Sequence, residues 1–283
     1  ALDQAASHIV QAIEAKKKGV SVLKSDICEW AEERFYVSGT EQPITLYPHQ
    51  KVFLKLCFTK DARGRFPYRT AIYSTIKKSG KSTIAALVER WYAETQRRNQ
   101  ELYCLGNDME QAKLRSFREI ARSLELTPGY NRNRNILPGQ WVVQKTQMRC
   151  LTTGNEIRAL SVDAKGEAGG APAIQVWTEL WGFDQEEALR FWDELTPVPT
   201  IPDSLRLVET YAGYDGESVL LQQQYELGLE GRQLTEGEVR ERTGIAGSFH
   251  EAKNDDDLVP LWENKAASML MYWDSGPNAR RMP

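Results

Sequence analysis

The chain has few residues of the types that build metal centres, disulfide frameworks or membrane spans. Among 283 residues there are three histidines and four cysteines, and the cysteines lie in four separate segments without a CxxC pair. This scarcity argues against a zinc site and favours reduced thiols in a cytoplasmic setting. The longest apolar runs, such as residues 84–88, are far shorter than the ~18 residues a membrane span requires, and no charged-then-apolar leader opens the sequence. We therefore expect a protein that neither spans a membrane nor is exported.

The composition is that of an ordinary folded protein of substantial size. Apolar residues make up 41% and charged residues 27%, with 20 glycines and 12 prolines, which excludes collagen-like and disordered classes. Single cores stop growing near roughly 250 to 300 residues, so this length fits one large α/β domain or a domain with an appendage.

The near-neutral net charge of −3 conceals a strong asymmetry. Residues 1–150 carry 25 Lys and Arg against 15 Asp and Glu, whereas residues 151–283 carry 11 against 24. A basic first half indicates a polyanionic ligand, although solvated helix faces also concentrate Lys and Arg.

Predicted strands and helices alternate along the middle of the chain, a pattern typical of a parallel sheet covered by helices on both faces. Strands are predicted at residues 68–74, 102–105, 173–177 and 205–210, and helices at residues 48–58, 83–97, 108–124 and 185–195. We expect an N-terminal helical segment at residues 1–43, a core at residues 44–216, and a small lid or linker subdomain at residues 217–283, where the chain becomes acidic.

The strand predicted before residue 75 and the helix predicted after residue 82 flank the tripeptide GKS at residues 80–82. In this context backbone N–H groups and the helix N-terminus bind β- and γ-phosphates, while Lys81 supplies charge and the Ser82 hydroxyl can ligate Mg²⁺. Thr75 stands where the motif G-x-x-x-x-G-K-[ST] has its first glycine. GKS alone also occurs by chance, and the alternative is then a solvated turn before an ordinary helix.

A nucleoside triphosphatase also needs an acidic group at the end of a second buried strand, to hold the metal or polarise water. Glu179 follows the strand predicted at residues 173–177, at the edge where ligands gather in open α/β sheets. A helix-capping or salt-bridged role is the alternative for Glu179. Other acids that could serve are Asp163, Glu167 and Asp184. Thr178 stands where an Asp is expected, and a hydroxyl cannot replace a carboxylate charge near Mg²⁺.

Taken together, five segments resemble the ATPase region of a tailed-phage terminase large subunit, the motor that packages viral DNA. The segments are LYPHQ at 46–50 (similar to the adenine-contacting Q motif), KKSGKS at 77–82 (Walker A), residues 107–112 with EQA at 110–112 (similar to the segment after the family's second strand), VWTE at 176–179 (Walker B) and ETYAG at 209–213 (the coupling motif). Their order and spacing make the set specific over about residues 46–218.

The resemblance implies a P-loop NTPase fold of the RecA/ASCE type, with a mostly parallel sheet, helices on both faces, N-terminal helices and a small C-terminal lid. It implies ATP and Mg²⁺ as cofactors, with Ser82 and Thr178 as the residues facing the metal and Gln50 reading the adenine edge. The implied nucleotide-binding residues are Tyr47, Gln50, Lys77, Lys78, Ser79, Gly80, Lys81, Ser82 and Thr83.

The resemblance also implies four catalytic roles. Glu179 would activate water, Lys81 would hold phosphate, and Thr210 would sense the γ-phosphate and couple hydrolysis to movement. Arg158 is our candidate arginine finger, with Arg115 and Arg118 as competitors. A surface helix position for Gln50 and a strand-end hydroxyl for Thr210 are the alternatives.

By this resemblance the chain is the ATPase domain of a DNA-packaging motor that hydrolyses MgATP to drive double-stranded DNA into a procapsid in the host cytoplasm. Implied partners are double-stranded DNA, a portal protein and a small terminase subunit, without a membrane, in a ring homo-oligomer during packaging and a monomer in isolation. The loop at residues 132–134 is either a DNA contact or a solvated charge run.

The family's RNase H-like nuclease domain has no room in this chain, since about 65 residues follow the ATPase motifs. With Ala1 first and Pro283 last, we expect the motor portion of a longer polypeptide. Two other functions stay open: a nucleotide-binding scaffold with weak or no hydrolysis, because Thr178 replaces the Walker B Asp, and a small-molecule phosphotransferase, against which the acidic segment after residue 216 argues.

Overall fold

The computed structural model describes residues 26–129, 141–162, 170–213 and 218–274, together with residues 276 and 278. Several predicted features lie outside these residues: the first 25 residues of the expected N-terminal helical segment, the basic loop at residues 132–134, and the alternative acids Asp163 and Glu167. Across the part of the chain that the structure describes, no helix has the length and apolar character needed to cross a membrane.

The secondary structure follows the predicted alternation. The helices are α1 (Ile27–Arg34), α2 (Pro48–Phe58), α3 (Lys81–Thr95), α4 (Met109–Ala112), α5 (Arg118–Leu126), α6 (Glu186–Glu194), α7 (Val219–Leu229) and α8 (Glu236–Thr243). The strands are β1 (Tyr36–Val37), β2 (Gln42–Pro43), β3 (Thr70–Ser74), β4 (Glu101–Gly106), β5 (Trp141–Val143), β6 (Gln147–Cys150), β7 (Glu156–Ser161), β8 (Ile174–Thr178), β9 (Leu205–Thr210), β10 (Arg232–Thr235), β11 (Leu258–Asn264) and β12 (Met269–Trp273). A π-helical turn covers Lys113–Phe117 and a 3₁₀ turn covers Leu180–Gly182.

Ten strands form one sheet in the order β10-β11-β12-β3-β9-β8-β4-β7-β6-β5. The six neighbours from β12 to β7 run parallel, and the strands at each end pair antiparallel. The central strands β8 and β9 are buried along their whole length, as parallel strands covered on both faces must be. The predicted fold class, a mostly parallel α/β sheet with helices on both faces, is confirmed.

Each face of the sheet carries its own apolar core. One core packs the sheet against α1, α2, α3, α5 and α8, and includes Ala71, Val176 and Leu207. The other packs it against α6, α7 and the 3₁₀ turn, and includes Trp177 and Val208. Because side chains alternate along a strand, the core to which a residue's neighbours belong identifies the face on which that residue lies.

Residues 218–274 continue this sheet. Strand β12 pairs parallel to β3 from Met269–Thr70 to Trp273–Ser74, and β10 and β11 extend the sheet further. Side chains of α8 and β11 belong to the same core as α3. The sequence signal for these strands was weak because β12 is a short continuous apolar run, which periodicity cannot distinguish from a buried helix. The domain boundaries at residues 43 and 216 stay predictions, and the structure places strands from both sides of residue 216 side by side.

Candidate nucleotide-binding site

The loop between β3 and α3, residues 75–80, lies at the carboxyl edge of the parallel sheet. We call it the phosphate loop after the motif that it resembles. Two residues in it have left-handed backbone, Lys78 at φ 64° and Gly80 at φ 79°, and Gly80 caps α3. Thr75, at the position of the missing first glycine, instead continues the strand ladder by donating its N–H to the carbonyl of Thr210 at 3.2 Å. The glycine-poor loop therefore makes its turn at residues 78 and 80, and residue 75 needs no glycine.

Internal hydrogen bonds hold the loop closed. The Ser79 hydroxyl and the Lys81 ammonium both donate to the carbonyl of Ile76, at 2.8 and 3.0 Å. Lys81 is 6% exposed, and burial lowers the pKa of its ammonium while Glu209 and Glu179 raise it. A partly desolvated cation interacts with an anionic ligand more strongly than one surrounded by water.

A cavity of about 520 Å³ opens above this loop, a volume typical of small-molecule sites. Its lining residues are Val37, Ser38, Lys77, Lys78, Ser79, Gly80, Lys81, Ser82, Thr83, Leu114, Arg115, Arg118, Glu119, Glu179, Trp181 and Tyr211. Five of these are Lys or Arg and two are Glu. The cavity is therefore suited to a compact polyanion such as a nucleoside triphosphate.

Glu179 lies at the end of β8, facing this cavity. Its backbone is left-handed at φ 57°, an uncommon conformation for a residue other than glycine and one that clusters at functional sites. Its N–H donates to the carbonyl of Glu209 at 2.8 Å, and the Trp181 indole N–H donates to its Oε2 at 2.9 Å. These contacts fix a carboxylate that is 6% exposed at the cavity wall.

A second carboxylate, that of Glu209 on β9, lies against the phosphate loop. The Ser82 hydroxyl donates to Glu209 Oε1 at 3.0 Å, and Glu209 is 1% exposed. Burial, followed by the nearby Glu179 carboxylate, raises the pKa of Glu209 from 4.5 to about 8, while Lys81 and the Ser82 hydroxyl oppose that shift. In the sequence Glu209 is only one residue of the segment ETYAG at 209–213. The signal that could have found it is an acid directly after the apolar residues Leu207 and Val208 of a buried strand.

The Tyr211 ring lies under two of the loop lysines. Lys77 Nζ is 4.6 Å and Lys81 Nζ 5.5 Å from the ring centroid, distances at which a cation is attracted to an aromatic face. The centroid of the Trp181 ring lies 5.5 Å from that of the Tyr211 ring. The aromatic pair therefore connects the cationic loop to Glu179.

The arginine candidates occupy different places. Arg115 and Arg118 line the cavity, and Arg115 has non-helical backbone, φ −104° and ψ −118°, inside the π-helical turn. Arg158 lies within β7, separated from β3 by β9, β8 and β4, and does not line this cavity. The structure thus brings the two competitors, and not Arg158, to the loop of the same chain.

Four other predicted site residues do not line the cavity either: Tyr47, Gln50, Thr178 and Thr210. Gln50 is 4% exposed, and its Oε1 accepts the N–H of Tyr47 at 3.0 Å in the capping box of α2. Thr210 is fully buried, with its hydroxyl donating to the carbonyl of Tyr211 at 3.0 Å. Thr178 is 1% exposed and pairs in register with Glu209.

The oxygen donors at the loop fit a magnesium ion. Mg²⁺ is commonly held by one or two carboxylates together with substrate phosphates and waters. The Ser82 hydroxyl and the Glu209 carboxylate provide hard oxygen donors, and Glu209 Oε2 is buried without a hydrogen-bond partner. Within the described ranges no group of three or more His, Cys, Asp or Glu could hold a metal alone. The Ser82 hydroxyl and the Glu209 carboxyl are thus two hard oxygen ligands of the kind that Mg²⁺ takes when a phosphate supplies the others.

Solved structures similar to this chain are phage terminases. The HK97 bacteriophage large terminase matches with a TM-score of 0.58 and 18% identity, over 82% of this chain and 44% of that protein. The ATPase domain of the Thermus phage P74-26 large terminase matches with a TM-score of 0.39, and a single-residue mutant of it with 0.38, each at 17% identity over 68% of this chain and 79% of theirs. No protein-family model and no curated protein sequence matches the chain.

The match to the HK97 protein, with a TM-score of 0.58 and 18% identity, shows that the two proteins share a fold. This chain spans less than half the length of that protein. The segments that indicated a terminase ATPase lie on a terminase-like framework, with the phosphate loop following β3 and the acid following β8. The resemblance drawn from the motifs is confirmed at the level of architecture: the chain has the fold found in a phage large terminase.

Proposed function

We propose that this chain is the ATPase domain of a viral DNA-packaging motor, which binds and hydrolyses MgATP to drive translocation of double-stranded DNA into a procapsid. The observation that carries the proposal is the cationic cavity over a strand–loop–helix unit, with a fixed carboxylate, Glu179, on its wall. The terminase-like fold supports the choice of this ATPase class over a small-molecule phosphotransferase.

Each side chain has a distinct task in this proposal. Backbone N–H groups at the start of α3 and the Lys81 ammonium bind the β- and γ-phosphates. Glu179 orients a water molecule and accepts its proton during attack on the γ-phosphate. Bound Mg²⁺ supplies positive charge that neutralises the phosphates. Arg115 and Arg118 are positioned to stabilise developing negative charge from within the same chain.

In this proposal Gln50, Thr210 and Arg158 act only after a rearrangement or in a neighbouring subunit. Gln50 reads adenine only if it leaves the α2 cap, where it accepts the N–H of Tyr47. Thr210 senses the nucleotide through the backbone it shares with Tyr211, since its hydroxyl donates to the Tyr211 carbonyl. Arg158 acts as a finger only on a nucleotide held by a neighbouring subunit, which a ring homo-oligomer would provide.

Steady-state ATP hydrolysis tests the proposal. Lys81→Ala is expected to lose both nucleotide binding and turnover, because it removes the buried phosphate-binding cation. Glu179→Gln is expected to retain binding of a fluorescent ATP analogue while turnover falls by about 10²-fold or more, the usual effect of losing a general base. Lys145→Ala, at an exposed position outside the cavity, is the control. Turnover that does not depend on Lys81, with double-stranded DNA and assembly partners present, would contradict the motor function.

A nucleotide-binding scaffold remains the second candidate, favoured by the hydroxyl of Thr178 at the position of the expected acid. It predicts MgATP binding without turnover in wild type. In the motor function, by contrast, DNA stimulates hydrolysis and DNA affinity falls steeply with salt. The portal protein, the small terminase subunit and the host cytoplasm belong to the motor proposal as its partners and its setting.

A further inference from the structure

The carboxylate expected at position 178 has a structural replacement on the neighbouring strand. Strands β8 and β9 are parallel neighbours, and Thr178 pairs directly with Glu209. Along β8, Val176 belongs to the core under α3 and Trp177 to the opposite core, while on β9 the same alternation holds for Leu207 and Val208. Thr178 and Glu209 therefore lie side by side on the sheet face that α3 covers.

Strand β9 lies between β8 and β3 in the sheet, so Glu209 comes from the strand directly beside the phosphate loop. Its Oε1 accepts the hydrogen bond of the Ser82 hydroxyl at 3.0 Å, and Ser82 is the residue implied as a metal ligand. Its Oε2 is buried and has no hydrogen-bond partner. Buried polar atoms are nearly always paired, so this unpaired oxygen beside Ser82 is available to a ligand.

Glu179, the other carboxylate at the site, has different hydrogen-bond partners from Glu209. Glu179 lines the open cavity and accepts the Trp181 indole N–H at 2.9 Å, whereas Glu209 does not line the cavity and contacts it through Ser82. The two acids thus occupy separate positions, one at the cavity wall and one behind the loop hydroxyl. This division matches two different tasks, water activation and metal binding.

We propose that Glu209 is the acidic metal-site residue of this chain: with the Ser82 hydroxyl it binds the Mg²⁺ that accompanies ATP, in place of the carboxylate that position 178 lacks. The inference rests on the proposed nucleotide-binding function and assigns its metal site. It also removes the reason for expecting a catalytically silent scaffold, because the carboxylate is supplied by the adjacent strand.

Nucleotide binding with and without Mg²⁺ tests this assignment without any measurement of turnover. A fluorescent ATP analogue is titrated into the full chain in Mg²⁺ and in EDTA, and the ratio of the two dissociation constants reports how strongly the metal contributes. Wild type should bind more tightly in Mg²⁺. Glu209→Gln should reduce that ratio by about 10- to 100-fold, the usual effect of disturbing a metal site, with little change in EDTA.

A cross-strand rescue makes the test specific. Thr178→Asp added to Glu209→Gln should restore much of the Mg²⁺ dependence, because it returns a carboxylate to the same sheet face one strand away. Glu89→Gln is the matched control: Glu89 is a fully buried glutamate on α3 that contacts Cys104, and its ratio should equal that of wild type. Binding of Mn²⁺ in the presence of ADP, followed by electron paramagnetic resonance, should show the same ranking.

The possible results distinguish a failure of the Glu209 metal-site assignment from a failure of the proposed nucleotide-binding function. A wild type that binds no ATP in either buffer overturns the proposed function and the metal site with it. A wild type that binds with a clear Mg²⁺ dependence, unchanged in Glu209→Gln, overturns the assignment alone. If Glu209→Gln fails to fold by thermal unfolding, Glu209→Asp replaces it, and an unchanged ratio in that shortened variant likewise overturns the assignment.

Discussion

Glu89 shows how strongly burial affects a single carboxyl group in this protein. It lies on α3 with no exposed surface, and the Cys104 thiol donates to its Oε1 at 3.0 Å. Burial raises the pKa of Glu89 from 4.5 to about 8. Because the folded-state pKa is the higher one, its stabilising contribution is fully present below pH 4.5 and is lost as the pH rises through 8.

We predict that Glu89→Gln flattens the pH dependence of stability. Wild type should lose thermal stability between pH 5 and pH 8.5, and the variant should lose less, because glutamine has no proton to release. Circular dichroism melts across this range provide the measurement. Glu230→Gln, at an exposed position, is the control and should follow wild type. Parallel curves for Glu89→Gln and wild type would show that Glu89 is not protonated in the folded protein.

Two glycines are predicted to respond differently to alanine. A Cβ at Gly80 meets nothing within 4 Å but is strained by φ 79°, whereas a Cβ at Gly106 would clash with the backbone nitrogen of Ala112. Gly80→Ala should cost about 1 to 2 kcal/mol in loop conformation and weaken ATP binding. Gly106→Ala should instead lower the melting temperature. Nucleotide titration and thermal unfolding of both variants test this, and equal effects on binding would contradict it.

At the level of single residues, the sequence singled out Lys81, Ser82 and Glu179 because each follows a predicted strand, and the structure brings all three to one cavity. Their roles in binding and catalysis stay predictions. The sequence did not single out Glu209. The side chain that reaches Ser82 depends on strand order, and the order β3-β9-β8 is a tertiary property. A linear motif cannot show that residues 82 and 209 share a hydrogen bond.

Helix α3 is tied to its surroundings by a buried polar network. Arg90 donates to Glu94 Oε1 at 3.0 Å, to the Ser123 hydroxyl at 2.7 Å and to the Thr127 hydroxyl at 3.1 Å, and Trp141 also donates to Glu94 at 3.1 Å. The network joins the helix after the phosphate loop to α5 and β5. These bonds fix α5, whose first residue is Arg118, against α3.

We predict that Arg90→Met destabilises the protein by about 3 to 5 kcal/mol, since it leaves Glu94 as an unpaired buried charge. Adding Glu94→Leu should recover much of that loss, because the pair is then replaced by apolar groups. Urea unfolding of the single and double variants measures both changes. A single variant that loses less than about 1 kcal/mol would indicate a pair with little net contribution.

Elements with clear periodicity or punctuation were predicted well, and elements defined by packing were not. Pro48 marks the start of α2, and β9 has the predicted bounds. The single helix predicted at residues 108–124 is divided by the π-helical turn Lys113–Phe117. The segment has no Gly or Pro that would predict the break, and it packs against β4 and β7.

The whole molecule depends on strands from both ends of the chain. Strand β12, from the acidic half, pairs with β3, which leads into the phosphate loop in the basic half. Met269, Leu270, Met271 and Tyr272 are buried between the two cores. Without β12 the strand before the phosphate loop would become an exposed sheet edge, a known cause of aggregation.

We predict that a chain ending at residue 217 does not fold into a stable ATPase core. It should aggregate or lack a cooperative thermal transition, whereas the full chain should melt cooperatively. Solubility after expression and differential scanning calorimetry test this. A fragment that melts cooperatively near the wild-type temperature would instead support the boundary predicted at residue 216.

Trp181 places a fluorescent side chain on the wall of the candidate nucleotide-binding cavity. Its indole donates to Glu179 and packs against Tyr211, while Trp30, Trp91, Trp141 and Trp177 are fully buried elsewhere. Indole emission responds to nearby charge and to hydrogen bonding of the ring nitrogen. Any event that turns the Glu179 carboxylate toward a phosphate breaks this bond and changes the emission of one partly exposed tryptophan. We therefore expect nucleotide binding to change the tryptophan emission of the unlabelled protein, and Trp181→Phe to lack that change.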